Sequence, residues 1–388
     1  PLYIMYSSGT TGKPKSIVHS AGGTLIQHMK ELKYHVNLNP RDKIFYYTTC
    51  GWMMWNWLIG GLASRATIVL YDGSPFSRGA KTLWEMCEKD DWAIFGTSAK
   101  YIAALEKQKW QTPEDMKILK LRAILSTGSP LVHESFDYVY SKLKEDVLLG
   151  SISGGTDIVS CFMLSCPVRS VYRGQLQGEG LGLAVDIFDE EGKSVQEQKG
   201  ELVCKTPFPS KPIYFWNDKN NYKYLNAYFQ KYENIWHHGD YCEKTINNGY
   251  IIYGRSDATL NAGGVRIGTS EIYRVVENIG KITECVAVEH NLYTDTEIVL
   301  FVKLNSNHSL DDKLIKNIKL EIRTNLSPKH IPSKIFEVSD IPKTKSGKIV
   351  ELSIKNIING MEIENENALE NPDCLKEYQS IYNLLKEN

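Results

Sequence analysis

The pattern of apolar and polar positions changes style twice along this chain. From residue 43 to about 150, "DKIFYYT", "ATIVLYDG", "WAIFGT" and "LRAILSTG" read as buried strands. Between them "WNWLIGGLAS", "KTLWEMCEKDD", "SAKYIAALEK" and "HESFDYVYSKL" read as helices. Apolar strands separated by helices predict βαβ units and a mainly parallel sheet. Past residue 170, "LAVDIFDEEGKSV" predicts a hairpin with a polar turn, and "GELVCKT" a further strand. "YCEKTINNGYIIYGR" predicts a second hairpin, turning near Asn247–Gly249. A third style begins after Asp257. The stretch "SEIYRVVENIG" carries Ile272, Val275, Val276 and Ile279 at helical spacing. Strands "ITECVAVEH" and "EIVLFVKLN" follow, then a helix at about 311–326 with Leu314, Ile315, Ile318, Ile322 and Leu326 on one face, then the strand "KIFEVSD". The tail, 360–388, is rich in Asn and Glu and helical at its end.

The expected fold class is therefore α/β. A layered, mainly parallel α/β subdomain spans 1–165 and an antiparallel β subdomain 166–256, together forming part of one large domain, 1–256. A small α+β domain with a C-terminal extension spans 257–388. The length of 388 residues with 42% hydrophobic content supports two cores.

Charge changes the picture by exclusion. Lys plus Arg (45) nearly balance Asp plus Glu (46), and no basic stripe is present, so neither nucleic acid nor an anionic membrane is an expected partner. No apolar run approaches the roughly 18 residues of a membrane span. The eight cysteines are scattered, with no CxxC pair, which fits reduced thiols in a cytoplasmic protein better than a metal site or disulfides. No signal peptide is visible. The opening "PLYIM" reads as a buried strand, and the expectation is that an upstream part is missing.

Three Gly/Ser/Thr-rich turns follow predicted strands: Ser7–Gly12, Ser126–Pro130 and Gly150–Asp157. Ligands of parallel sheets sit at the carboxyl ends of strands, so all three are expected along one edge. The first turn, "SSGTTGKPK", has Gly9 and Gly12 too close for a Walker loop, and Pro14 stands where that loop needs Ser or Thr. Its chemistry still suits a polyphosphate. Ser7, Ser8, Thr10 and Thr11 offer hydroxyls, the glycines admit phosphate oxygens to backbone amides, and Lys13 and Lys15 supply charge.

This stretch resembles the signature loop of the adenylate-forming superfamily, which includes acyl-CoA synthetases, luciferases and peptide-synthetase adenylation domains. Further motifs follow in that family's order. "GGTD" resembles its Thr-Glu pair, which implies Thr156 near the α-phosphate and Asp157 as a magnesium ligand. The position of its adenine-stacking aromatic is Ser153. "HHGDY" resembles the motif whose carboxylate, here Asp240, binds ribose hydroxyls, while His237 and His238 read as structural. In "YGRSDATLNAGGVRIGTSEI" the resemblance implies Arg255 on the ribose, Asp257 at a hinge, Arg266 near the phosphate and Gly264 beside the pantetheine arm of coenzyme A. "PKTKSGKI" ends on Lys348, which resembles the adenylation lysine. Gly128, Ser129, Pro130 and Gly155 complete the implied nucleotide contacts.

The resemblance implies an ATP-dependent acid:CoA ligase using magnesium, with a mobile C-terminal lid. It covers nearly the whole chain and lacks the family's large N-terminal portion. Acetate-activating relatives carry a Trp two residues before the motif Thr, where this chain has Gly154, so a larger acyl pocket is expected. "TTCGWMMWNWLIGGLASRATIVLYDGSP", "LSTGSPL" and the tail after Lys348 resemble the branch of the family that activates acetoacetate. Trp52 is expected to line the acyl pocket, and Trp55 and Trp57 to pack in the core. The alternatives are a ligase for acetate, propionate or a medium-chain acid, and an inactive nucleotide-binding fragment. Oligomeric state is left open.

Overall fold

A computed structural model describes residues 1–7, 15–262, 265–292, 296–344, 347–363, 366 and 369–386. The chain divides into two compact units. The first comprises Pro1–Ser7, Lys15–His238 and Glu243–Ile251; the second comprises Gly239–Cys242 and Ile252–Asn388.

The first unit opens with β1 (Tyr3–Ser7), β2 (Lys15–His19) and helix α1 (Ala21–Lys30), whose start is capped by the Ser20 hydroxyl accepting from Gly23 N. β3 (Lys43–Tyr46), α2 (Met53–Ile59), β4 (Thr67–Val69), α3 (Thr82–Asp90), β5 (Ile94–Ser98), α4 (Ala99–Lys107), β6 (Ala123–Thr127), α5 (His133–Tyr138) and β7 (Leu148–Ser151) then alternate. These strands form a five-stranded sheet of order β4-β3-β5-β6-β7, parallel throughout. Successive side chains point to opposite faces, so each strand feeds two cores. Phe45, Phe95 and Ile124 enter a cluster with Leu83, Trp84 and Trp92; Ile44, Ile94 and Leu125 enter another with Leu32 and Trp57. This is why the strands read as continuous apolar runs. Phe95 is 1% exposed and sits against the rings of Phe45, Trp84 and Trp92. Phe95→Ala is expected to lower unfolding free energy by about 3–5 kcal/mol, read from urea titrations.

The opening strand departs from expectation. β1 pairs antiparallel with β2 in a small three-stranded sheet, outside the parallel sheet. Its residues alternate between half-buried and exposed, with Ile4 43% and Tyr6 67% exposed. It is therefore not a buried strand, and it does not belong to the parallel sheet. Five apolar or aromatic residues in a row do not distinguish a two-faced core strand from a one-faced one.

β8 (Ser153–Gly155), β9 (Ser160–Leu164) and β10 (Gly178–Glu179) make a three-stranded antiparallel sheet. β11 (Val185–Phe188) and β12 (Lys199–Cys204) pair antiparallel, and the hairpin expected in "LAVDIFDEEGKSV" is closed by a bridge between Phe188 and Ser194. β13 (Tyr214–Phe215) joins the opening sheet, followed by α6 (Tyr222–Phe229). β14 (Trp236–Lys244) and β15 (Tyr250–Arg255) are the predicted hairpin, in a sheet of order β11-β12-β14-β15; the chain passes from one unit to the other within these strands.

The second unit contains β16 (Leu260–Ala262), β17 (Val265–Ile267), α7 (Thr269–Val276), β18 (Ile282–Asn291), β19 (Thr296–Leu304), α8 (Asp312–Asn325), β20 (Lys334–Glu337), α9 (Glu351–Ile358) and α10 (Leu375–Lys386). β18 and β19 pair antiparallel and β20 joins β19 in parallel. α7 and α8 pack Ile272, Val276, Leu314, Ile318 and Ile322 on one face of this sheet. α9 and α10 pack Ile354, Ile358, Tyr378 and Ile381 on the other, so the tail completes the second core.

Candidate functional site

In the first unit, the start of β2 and the turn between β8 and β9 bring together residues more than 140 positions apart. Lys15 Nζ lies 2.9 Å from Asp157 Oδ1, and the Tyr228 hydroxyl, from α6, donates to the same oxygen at 2.5 Å. The Lys15 ammonium also sits 5.0 Å from the Tyr228 ring centre. Tyr228 is fixed by stacking on Trp236, with ring centres 3.7 Å apart. Burial pushes the Asp157 carboxyl up, but Lys15, His238 and the Tyr228 hydroxyl outweigh it and hold the group well below the usual carboxylate range. The cluster is an anion held by a cation and a phenol, next to the half-buried Thr156.

His19, at the end of β2, is fully buried, with Nε2 3.0 Å from the Thr156 carbonyl oxygen. Burial pushes its pKa down to about 4. His19 is thus neutral when folded, while the unfolded chain takes up its proton below about pH 6.5. The stability it contributes is complete above pH 6.5 and is lost as pH falls toward 4, because the unfolded state then binds more protons. Urea unfolding at pH 7.5 and pH 5 is expected to show a pH penalty smaller in His19→Asn than in wild type by on the order of 2 kcal/mol.

A divalent cation that arrives with a polyphosphate needs one or two protein carboxylates. Asp157 Oδ2 has no hydrogen-bond partner among the described residues, and it faces Gly155: a Cβ there would stand 3.5 Å from it. No group of three metal-ligating side chains occurs among the described residues. The donor set fits magnesium brought in by a nucleotide, not a metal held by protein alone.

Gly154 is closely packed. A Cβ on it would stand 2.0 Å from the Ser160 carbonyl oxygen and 2.4 Å from Cys161 Cα. The register of β8 on β9 shifts between Ser153 and Gly154, which presses the two backbones together. Glycine here permits that approach and does not by itself open acyl space. Trp52, just before α2, is half-buried, 6.2 Å ring to ring from Tyr46 and in van der Waals range of the Gly128 position. Gly128 takes a positive φ of 95°, and Ser129 and Pro130 are exposed beyond β6. Trp57 is fully buried; Trp55 is half-buried.

The second unit gathers a separate set. Arg255 Nη1 lies 3.0 Å from Asp240 Oδ1, and Arg255 Nε lies 3.5 Å from Asp257 Oδ1. Gly239, at φ 82°, makes room: a Cβ there would lie 2.7 Å from the guanidinium. Arg266 donates to Thr259 Oγ1 (3.0 Å) and the Ser256 carbonyl (3.1 Å), with its guanidinium 4.3 Å above the Tyr241 ring. Lys348 is exposed, its backbone bonded to Thr344 on both sides.

Ser7 ends β1 opposite Lys15, with its hydroxyl buried and unpartnered among the described residues. Ser8, Gly9, Thr10, Thr11, Gly12, Lys13 and Gly264 lie outside the described residues. Sequence reasoning passed over Tyr228, His19 and His238. Tyr228 and His19 carry no local motif. His238 was set aside with His237, yet alternation along β14 separates them: His237 Nε2 meets Glu201 at 3.0 Å, while His238 packs on Phe162 and faces Asp157.

The chain thus joins a parallel α/β sheet, two small antiparallel sheets that bring Lys15 to Asp157 beside Thr156, and a separate α+β unit, and two family profiles match it. "AMP-binding enzyme" matches residues 1–214 and "AMP-binding enzyme C-terminal domain" matches 272–348. The chain belongs to the AMP-binding enzyme family. It is 52% identical over 384 residues to acetoacetyl-coenzyme A synthetase of Rhizobium meliloti, covering 99% of this chain and 59% of that protein. It is 49% identical over 383 residues to acetoacetyl-CoA synthetase of Gallus gallus, covering 98% and 57%. Among solved structures, acetoacetyl-CoA synthetase from Streptomyces lividans superposes with a TM-score of 0.90 at 39% identity, covering 99% of this chain and 59% of that one. The chain thus spans less than two thirds of these relatives' length.

Proposed function

We propose that this chain is the greater part of an acid:CoA ligase that converts acetoacetate, ATP and coenzyme A into acetoacetyl-CoA, AMP and pyrophosphate. The observation that carries the reading is the near-half identity to acetoacetyl-CoA synthetases over 98–99% of the chain, through both the Trp52 stretch and the tail. The acid's carboxylate oxygen attacks the α-phosphorus of ATP and pyrophosphate leaves; the coenzyme A thiol then attacks the acyl carbonyl and AMP leaves. Ser7, Lys15 and the loop 8–13 grip the β and γ phosphates, and Thr156 offers its hydroxyl to the α-phosphate. Asp157 is the residue to hold magnesium, which supplies charge neutralisation on the phosphates. Asp240 and Arg255 hold the ribose, Arg266 faces phosphate, and Gly128, Ser129, Pro130 and Gly155 contact the nucleotide. Trp52 lines the acyl pocket. Lys348 places positive charge at the reacting centre. Asp257 is the pivot of the C-terminal domain, and Gly264 leaves passage for pantetheine.

No helix among the described residues is long and apolar enough to cross a membrane. All eight cysteines are free thiols, which supports a reducing, cytoplasmic setting. The test is acid-dependent pyrophosphate exchange by the complete protein over a panel of acids. Acetoacetate is expected to give the highest kcat/KM. A preference for acetate, propionate or a medium-chain acid would overturn the substrate, and no exchange with any acid would overturn the activity.

A further inference from the structure

Behind the Thr156–Asp157 turn lies a buried polar cluster that the proposed chemistry does not use. Its centre is Glu31, fully buried where α1 runs into a wider turn: Val36 N bonds back to the Glu31 carbonyl at 3.1 Å. Three donors converge on the Glu31 carboxyl. Gln27 Nε2 (2.7 Å) and Ser160 Oγ (2.5 Å) donate to Oε1, and Trp57 Nε1 (2.7 Å) donates to Oε2. A group surrounded only by donors suits an acceptor-only carboxylate. The Lys30 ammonium, 3.9 Å away, supplies compensating charge. From the turn before, His28 Nε2 donates to the Val159 carbonyl at 2.6 Å, and burial lowers the pKa of this imidazole.

The segment so gripped is strained. Val159 is β-branched, fully buried and at φ 47°, a conformation that persists in such a residue only when its surroundings enforce it. It closes the turn that bears Thr156 and Asp157, and Ser160 follows it at the start of β9. Trp57 stands on α2, whose first residue follows Trp52. Burying a carboxylate is costly, and an apolar cluster of the same volume would pack as well.

We propose that Glu31 is a positioning residue for acid activation: one buried carboxylate ties the Thr156–Asp157 turn, through Ser160, to the helix behind Trp52, through Trp57. The inference rests on the site roles proposed above. The tie sets nucleotide-side and acid-side geometry together, with Gln27 and His28 as its second grip.

The test compares the complete protein with Glu31→Gln, Trp57→Phe and Ser160→Ala, and with Leu105→Ala, a core variant in the other cluster of the sheet. Glu31→Gln sets a donor against one of the three donors. Its amide hydrogen exchange over 153–160 is expected to rise about tenfold or more, the worth of one buried hydrogen bond, with 94–98 unchanged. Its KM for the acid is expected to rise and its kcat for pyrophosphate exchange to fall by a similar factor, with the KM for ATP less affected. Trp57→Phe should reproduce the acid KM change and Ser160→Ala the kcat change, and neither should add to Glu31→Gln. If Glu31→Gln does not fold, Ser160→Ala, which removes one donor, carries the same exchange and kcat readouts alone. Unchanged exchange at 153–160, or the same kinetic pattern in Leu105→Ala, overturns the proposal. Faster exchange at 153–160 in an enzyme whose wild type activates no acid would strike down the ligase reading and keep the tie.

Discussion

Lys348→Ala in the complete protein is expected to lower acid-dependent pyrophosphate exchange by about 10²- to 10³-fold, the usual cost of removing one preorganised charge-stabilising group. The turn that carries Lys348 is closed by two bonds to that residue's backbone. Thr344 N donates to the Lys348 carbonyl at 2.8 Å, and Lys348 N donates to Thr344 Oγ1 at 3.2 Å. Both survive the substitution, so the variant keeps the turn while losing the ammonium. Thioester formation from preformed acyl-adenylate is expected to stay close to wild type, because the role proposed for Lys348 belongs to the first step, in which pyrophosphate leaves. Equal pyrophosphate exchange in variant and wild type would remove Lys348 from the adenylation step.

Gly154→Trp separates two accounts of the acyl pocket. If Gly154 is simply the absence of an indole, the variant should fold and shift its preference toward acetate. The geometry predicts another outcome. The first atom of any side chain would stand 2.0 Å from the Ser160 carbonyl oxygen, and backbone cannot yield as a flexible side chain does. Parting β8 from β9 also disturbs the Ser160–Glu31 bond and the strained Val159. The expected result is a loss of stability of roughly 3 kcal/mol or more, with activity lost toward all acids together. Denaturant titration and an acid panel check it. A stable variant that prefers acetate would restore the pocket argument.

Much of the fold was legible because each element repeats its own physical cause. β3, β5 and β6 are covered on both faces, so their apolar residues run together: Ile44–Tyr46, Ile94–Phe95 and Ala123–Leu125. α7 and α8 show one apolar stripe because one face meets a sheet. The sequence misled where two causes share a signal: β1 is apolar enough for a core strand but is half exposed on a three-stranded antiparallel sheet. Gly154 is ambiguous in another way. A missing side chain looks like vacancy in one dimension, and only neighbouring strands show that the space is filled.

The sequence by itself determined the family. Hydroxyls, glycines and lysines in one loop, a Thr-Asp pair, an Asp before a paired Arg, and a late lysine are local patterns, and local patterns can be read along a chain. Tertiary structure alone decided which of them meet and what holds them. Lys15 finds Asp157 across 142 positions, Tyr228 closes on the same oxygen, His237 and His238 part to opposite faces, and Glu31 collects donors from three segments. None of these has a sequence signature, because a hydrogen bond depends on distance in space, and the distance between remote residues is set by the packing of everything between them.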